Sequence, residues 1–255
     1  MTKVLVCYKW VVDEADLKIK PDLSVDFSKV SRKISDYDKN AIEAGCIAAK
    51  TLSGKAIGIS CGSGETRKSF TDALARGLDE GIWVNTEEAE ELDSLITARA
   101  LAGVVKQQEE VCLVICAEGS SDSYARQAAP RIGAQLDWPI ITSVCHMEID
   151  GDILTATRKM DDCLQIVKTK MPAVIAVLPE VNAAPIPGLK AVMAAKKKPV
   201  KEYTVSSMAI NKESGLEVIE TKGYVTNRKN MILSGDSNEK IVSALIGSLR
   251  KEGVL

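Results

Sequence analysis

Aromatic side chains are scarce in this chain of 255 residues: two Phe, three Trp and five Tyr, 4% of the whole. Single-stranded nucleic acid is gripped by stacking bases on aromatic faces inside a basic groove. This chain offers neither, with 33 Lys and Arg against 35 Asp and Glu and a formal charge of −2, so no nucleic-acid partner is expected. It has one histidine, His146, and a histidine-rich metal site or a Ser-His-Asp arrangement therefore has almost no material. No metal ligand set and no acid–base catalyst stand out. No apolar run approaches the roughly 18–20 residues of a membrane helix. The N-terminal MTKVLVCYKW is too short for a leader and lacks a small-residue cleavage site, so it reads as a first strand. The seven cysteines (Cys7, Cys46, Cys61, Cys112, Cys116, Cys145, Cys163) are odd in number and scattered in mostly apolar surroundings. Buried, reduced thiols in a cytoplasmic protein are the expectation.

What is present is a rhythm. Hydrophobic residues are 45% and charged residues 27%, an ordinary globular balance. Short β-branched runs recur at KVLVCY (3–8), KAIGISC (55–61), GIWV (81–84), VCLVIC (111–116), IITSV (140–144) and AVIAVL (173–178). Near-continuous apolar strands of this kind suit a sheet covered on both faces. Between them, helical spacing predicts helices over 38–52, 66–76, 93–107 and 125–136. Alternating strands and helices predict an α/β fold: a doubly wound, mostly parallel, Rossmann-like sheet of the adenine-nucleotide-binding type. The stretch 147–167 breaks the alternation and, with its Asp-Gly turn, predicts antiparallel hairpin strands. After Pro199 the rhythm stops and returns only in an amphipathic helix over 237–250. The chain thus divides into an α/β domain, 1–200, and a C-terminal arm, 201–255, free to dock elsewhere or to fold back.

In a doubly wound sheet, ligands sit at the carboxyl ends of strands, where helix N-termini offer free amides. Three such ends invite a nucleotide. One is CYKWVVDEAD after the first strand, another is the glycine-rich SCGSGETRKS (60–69), and the third is AEGSSDSYARQ (117–127). CGSGET has neither the P-loop nor the dinucleotide-fingerprint spacing. Glu118, Asp122 and Asp38 are acids that in such loops more often cap a helix or accept from a ribose than act as general bases.

Five blocks in order then resemble one family. VLVCYKWVVDEADLKI, KISDYDKNAIEAG, ISCGSGETRKSFTDALARGLDEGIWV, VICAEGSSDSYARQAAPRIGAQLDWPIIT and KMPAVIAVLPEVNAAPIPGLKAVMAAKKKPV are similar to segments of the electron transfer flavoprotein β (small) subunits. The resemblance weakens beyond about residue 200. At 122–125 this chain has Asp-Ser-Tyr-Ala where many members carry Asp-Gly-Asp-Thr. At 35–36 it has Ser-Asp where Asn-Pro is frequent. Both departures resemble a divergent branch tied to fatty-acid, carnitine or nitrogen-fixation electron delivery.

The resemblance implies a heterodimer with a larger α subunit that holds most of an electron-carrying FAD. It also implies a nucleotide in the β-type domain: AMP in ordinary members, a second FAD in electron-bifurcating ones. The residues it assigns to that nucleotide are Cys7, Tyr8 and Lys9, then Ser35 and Asp38, then Cys61 and Gly62. From the third loop it assigns Glu118, Gly119, Ser121, Asp122, Ser123, Tyr124, Ala125, Arg126 and Gln127. Amides of 123–127 would wrap phosphate, with Asp122 and Gln127 fixing the loop. PIPGLKAVM (185–193) matches the segment that meets a flavin-dependent, acyl-CoA-type dehydrogenase, which makes Leu189 and Met193 its contact residues. From the residues alone, Leu189 fits core packing as well as an exposed contact patch, and Lys196–Lys198 read as solvated charges at a helix end. The rival reading is an adenine-nucleotide enzyme or stress-type ATP-binding domain on a related fold. Cys7-Tyr8-Lys9-Trp10 bears no likeness to the phosphate loop of ATP pyrophosphatases.

Overall fold

KVLVC, residues Lys3–Cys7, is strand β1, and four of its five side chains are buried. Val4 and Val6 face one core while Leu5 and Cys7 face the other, as the two-residue period of a strand requires. The computed structural model describes residues 1–86, 92–208, 210–211, 215–224 and 228–255. After β1 comes a polar excursion with β2 (Trp10–Val12), β3 (Lys18–Ile19), β4 (Val25–Asp26) and β5 (Arg32–Ile34), leading into α1 (Asp36–Thr51). The alternation then runs β6 (Lys55–Gly62), a 3-10 turn over Gly64–Ser69, α2 (Phe70–Ala75), β7 (Glu80–Asn85), α3 (Ser94–Lys106), β8 (Val111–Ala117) and α4 (Ala128–Leu136). It continues through β9 (Ile140–Asp150), β10 (Ile153–Lys159), β11 (Leu164–Lys170), β12 (Ala173–Val177), α5 (Leu189–Ala195), β13 (Val200–Thr204) and α6 (Asn238–Lys251).

Nine strands form one sheet in the order β11-β10-β9-β12-β8-β1-β6-β7-β13. From β13 to β9 every pairing is parallel, and β10 and β11 add an antiparallel ribbon. Residues of α1 and α2 pack into one core and residues of α3 and α4 into the other, so the fold is the doubly wound, Rossmann-like α/β expected. Each fully buried Val, Leu or Ile contributes roughly 1.5–3 kcal/mol. Truncating Leu5, which is 0% exposed, would cost about 2–5 kcal/mol through the cavity it leaves.

The strand order reverses at β1. The chain lays β6 and β7 on one side of it, then returns to place β8 on the other. The crevice above β1 and β8 is therefore the topological switch point, where open α/β sheets bind ligands.

Three elements differ from the reading of the sequence. The sheet takes in Val200–Thr204 beyond Pro199 as an edge strand on β7; none of its five residues is buried, and the adjacent Lys201 and Glu202 are exposed, which masks it as loop. Ile140–Val144 and the first hairpin strand are one strand of eleven residues, β9, pairing parallel to β12 and then antiparallel to β10. The Asp-Gly turn is present, with Gly151 at φ 58, a value glycine adopts without steric cost. Helix α4 begins at Ala128 rather than Ala125, because Tyr124 and Arg126 hold φ of 45 and 57, which a right-handed helix cannot include.

Met1–Lys18 with Asp26–Ile219 forms one compact unit, and Ile19–Val25 with Glu220–Leu255 a second. In the second, the Gly223 amide donates to the Leu23 carbonyl and Ser24 bridges Lys222. Helix α6 is capped by Ser237, whose hydroxyl accepts from the Lys240 amide, and none of its residues is buried. Within the expected arm, residues 209, 212–214 and 225–227 lie outside the described ones.

Candidate nucleotide crevice

The three strand ends singled out in the sequence belong to β6, β1 and β8, which are neighbours in the sheet. Cys7 is the register partner of Ile59 on one side and of Cys116 on the other. The topology thus brings Lys9, Cys61 and the loop 118–127 to one edge, although they are far apart in sequence.

Lys9 is the hub. Its amide donates to Asp38 Oδ2 (2.9 Å), and its carbonyl accepts from the Ser35 amide (3.0 Å). Its ammonium pairs with Asp122. Asp122 also accepts from the Ser120 hydroxyl and from the Ser123 amide (2.7 Å). Ser35 Oγ accepts from the Ser121 amide (3.1 Å) instead of capping α1. First strand, first helix and third loop are therefore one polar network. Asp38 is 5% exposed, and burial pushes its carboxyl up to about 7, against the pull of the Lys9 amide and Ser35. For Asp122 burial also acts upward, but Lys9, Ser120 and the Ser123 amide outweigh it and hold the carboxyl below its ordinary range.

Glu118 anchors the loop from beneath. It is 6% exposed and accepts from Arg126 Nε (3.0 Å) and Nη2 (2.7 Å) through Oε1, and from the Ser143 amide (2.7 Å) through Oε2. Ser143 sits on β9 at φ 57, which turns its amide toward the carboxylate. The far end of the loop is tied to α3, where Gln127 Oε1 accepts from the Ser94 hydroxyl (2.6 Å). Gly119 is required: a Cβ there would lie 2.6 Å from the Tyr124 ring.

Several assigned residues are spent elsewhere. Tyr8 is buried, its hydroxyl within 2.9 Å of Ser69 Oγ and its ring edge-on to Phe70, and burial holds its phenol far above its ordinary range. Cys7 and Cys116 are core residues, and burial pushes the Cys61 thiol up to about 12. Gly62 is the last residue of β6, and its carbonyl accepts from Trp83 Nε1 and the Thr86 amide. The contributors the sequence did not disclose are Ser94, Ser120, Ser143 and Tyr37. Only Tyr37, in the SDYD that opens α1, carried a readable signal.

Free valences remain. Ser121 Oγ is a buried atom with no hydrogen-bond partner among the described residues. The amides of Ala125 to Ala129 find no acceptor among the described residues, the last two opening α4, which has no acidic residue in its first turn. With Lys9 and Arg126 nearby in the loop network, this donor set suits a phosphate-bearing ligand.

A doubly wound α/β domain with a donor-lined crevice at its switch point is the class defined so far. The family model described as the electron transfer flavoprotein domain matches residues 22–208. The chain belongs to that family, whose members bind flavin and carry electrons rather than act as free-standing enzymes.

On another part of the domain, Leu189 is 80% and Met193 56% exposed, beside Ile186 at 92%. Leu189 therefore takes no part in this chain's core. Lys198 is not a free charge at its own helix end: its ammonium donates to the carbonyls of Leu74 and Leu78 at the end of α2, an arrangement the carbonyl end of a helix favours. No helix among the described residues is long and apolar enough to cross a membrane, and no cluster of metal ligands occurs among them.

Proposed function

We propose that this chain is the small (β) subunit of a heterodimeric electron transfer flavoprotein. It shares an FAD held mainly by the large α subunit and binds an adenine nucleotide, AMP or FAD, in its own crevice. The observation that carries this reading is the loop 118–127, tied to Lys9 and Ser35 across the switch point and leaving unpaired donors at the start of α4. The family match supports it. Flavin supplies the one- and two-electron chemistry; the chain's residues bind, orient and present. Lys9, the Ser121 hydroxyl and the amides of 125–129 would hold phosphate and ribose oxygens, while Asp122, Glu118 and Gln127 hold the loop. Leu189 and Met193 form the contact with a flavin-dependent, acyl-CoA-type dehydrogenase. The expected arm 201–255, less its first residues, which join the sheet as β13, docks on the α subunit through the part that ends in α6. The scattered cysteines support a cytoplasmic setting.

The test is the spectrum of the complex co-purified with its large subunit, followed by acid release and identification of its nucleotides. One FAD with one AMP marks an ordinary carrier, and two FAD mark a bifurcating one. A complex with neither nucleotide in this subunit overturns the reading.

A further inference from the structure

Five tyrosines occur in the chain, and two of them meet at this crevice. Tyr37 belongs to the first turn of α1 and packs against the core. Tyr124 comes from the loop, and the two ring centroids are 5.2 Å apart at a tilt of 56°. Three features set Tyr124 apart from a side chain that merely fills space. Its φ of 45 is one that bulky residues rarely adopt, so the loop accepts strain to put the ring there. The ring lies over the backbone of Gly119, where any side chain would displace it. Even so packed, Tyr124 remains 42% exposed, whereas a ring serving only as filler would be covered. The neighbouring Ser121 amide is fastened to Ser35, which locks the loop to the helix that carries Tyr37.

Resting on the nucleotide reading above, we infer that Tyr124, braced from the side by the tilted ring of Tyr37, forms a stacking wall for the adenine ring shared by AMP and FAD. Tyr124 thereby selects a base-bearing ligand over a bare sugar phosphate. A flat, electron-rich ring held rigidly at the mouth of a polar crevice meets a planar base at low entropic cost. The phosphate donors proposed above are Lys9, the Ser121 hydroxyl and the amides of 125–129, none of them the Tyr124 side chain, so truncating that ring removes the base contact and no phosphate donor.

The experiment uses the complex with the large subunit, depleted of nucleotide and titrated calorimetrically with AMP and with ribose 5-phosphate. Tyr124→Ala should weaken AMP about tenfold or more and leave ribose 5-phosphate unchanged, and Tyr124→Phe should bind both as the native protein does. Tyr37→Leu, in a separate arm, should weaken AMP alone and serves where Tyr124→Ala does not fold. Equal losses for the two ligands, or unchanged AMP affinity, overturn the wall. Should the native complex take up neither ligand, the nucleotide reading itself fails and the wall falls with it.

Discussion

The loop 118–127 and the segment 186–193 both lie at the surface with large side chains exposed, yet they are built in opposite ways. In the first, the polar side chains of Glu118, Ser120, Asp122, Arg126 and Gln127 all bond to the protein itself. In the second, Ile186, Leu189 and Met193 project with little cover, and α5 buries only Ala195. The first spends its chemistry on holding one shape, as a site for a small, charged ligand must. The second leaves its apolar area for another surface to cover. Substitutions in the loop should therefore move stability and ligand affinity together, whereas those in 186–193 should move partner recognition alone.

The sharpest attack on that contrast is Glu118→Ala, which strands the Ser143 amide and releases Arg126. Hydrogen bonds to a charged group are worth roughly 1.5–3 kcal/mol, so the melting temperature should fall by about 5–10 °C in a thermal scan, with nucleotide lost as well. Next comes Asp122→Ala, which frees Lys9 and the Ser123 amide. Nucleotide affinity should drop roughly ten- to hundredfold by titration, with a smaller change in melting. Leu189→Ala should do the reverse: the Michaelis constant for electron transfer with the dehydrogenase rises about tenfold, while melting temperature and flavin spectrum hold. A destabilised Leu189→Ala protein with unchanged partner kinetics would erase the distinction between the two regions.

The smallest effect is a pH dependence inside the crevice network. Asp38 is raised to about 7 by burial, so the folded protein keeps a proton that the unfolded chain releases near 3.9. Its contribution to stability is full below about pH 4 and is lost as pH rises toward 7. Asp122 acts in the opposite sense, its lowered carboxyl adding stability that is lost as pH falls through its folded value. Unfolding midpoints of Asp38→Asn measured between pH 4 and 7 should vary less than those of the native chain. A variant that tracks the native profile would separate Asp38 from the network's titration.

The sheet was legible in the sequence because runs such as VCLVIC are apolar at every position, and only a strand covered on both faces tolerates that. The alternation made legible that a site would lie at carboxyl ends of strands, but that the three candidate ends adjoin follows from the strand order, which the alternation does not give. Three other features were hidden for physical reasons. The left-handed φ of Tyr124 and Arg126 leaves no mark in composition, so α4 was placed three residues early. Glu118 looked like a ligand group, but its partner Ser143 lies in an apolar strand where nothing advertises a turned amide. Tyr8 was assigned to the nucleotide, but Ser69, sixty-one residues away, supplies the partner that lets it be buried. Long-range pairing of this kind is decided by packing, which local pattern does not report.

The central place of β1 has a consequence for how the chain is made. Its two neighbours are β6 and β8, and the crevice closes through Lys9 with Asp122, 113 residues apart, and Ser35 with Ser121, 86 apart. During synthesis the first strand emerges with both apolar faces and both hydrogen-bonding edges uncovered, and it stays half-paired until β8 has left the ribosome. Closing such distant contacts is slow and exposes sticky edges meanwhile. Because the crevice assembles only when that last neighbour docks, a nucleotide bound there, as proposed above, would stabilise the finished sheet by about 2.7 kcal/mol at a hundredfold excess over its dissociation constant. On that proposal, nucleotide supply during expression should raise the yield of folded chain as well as its occupancy.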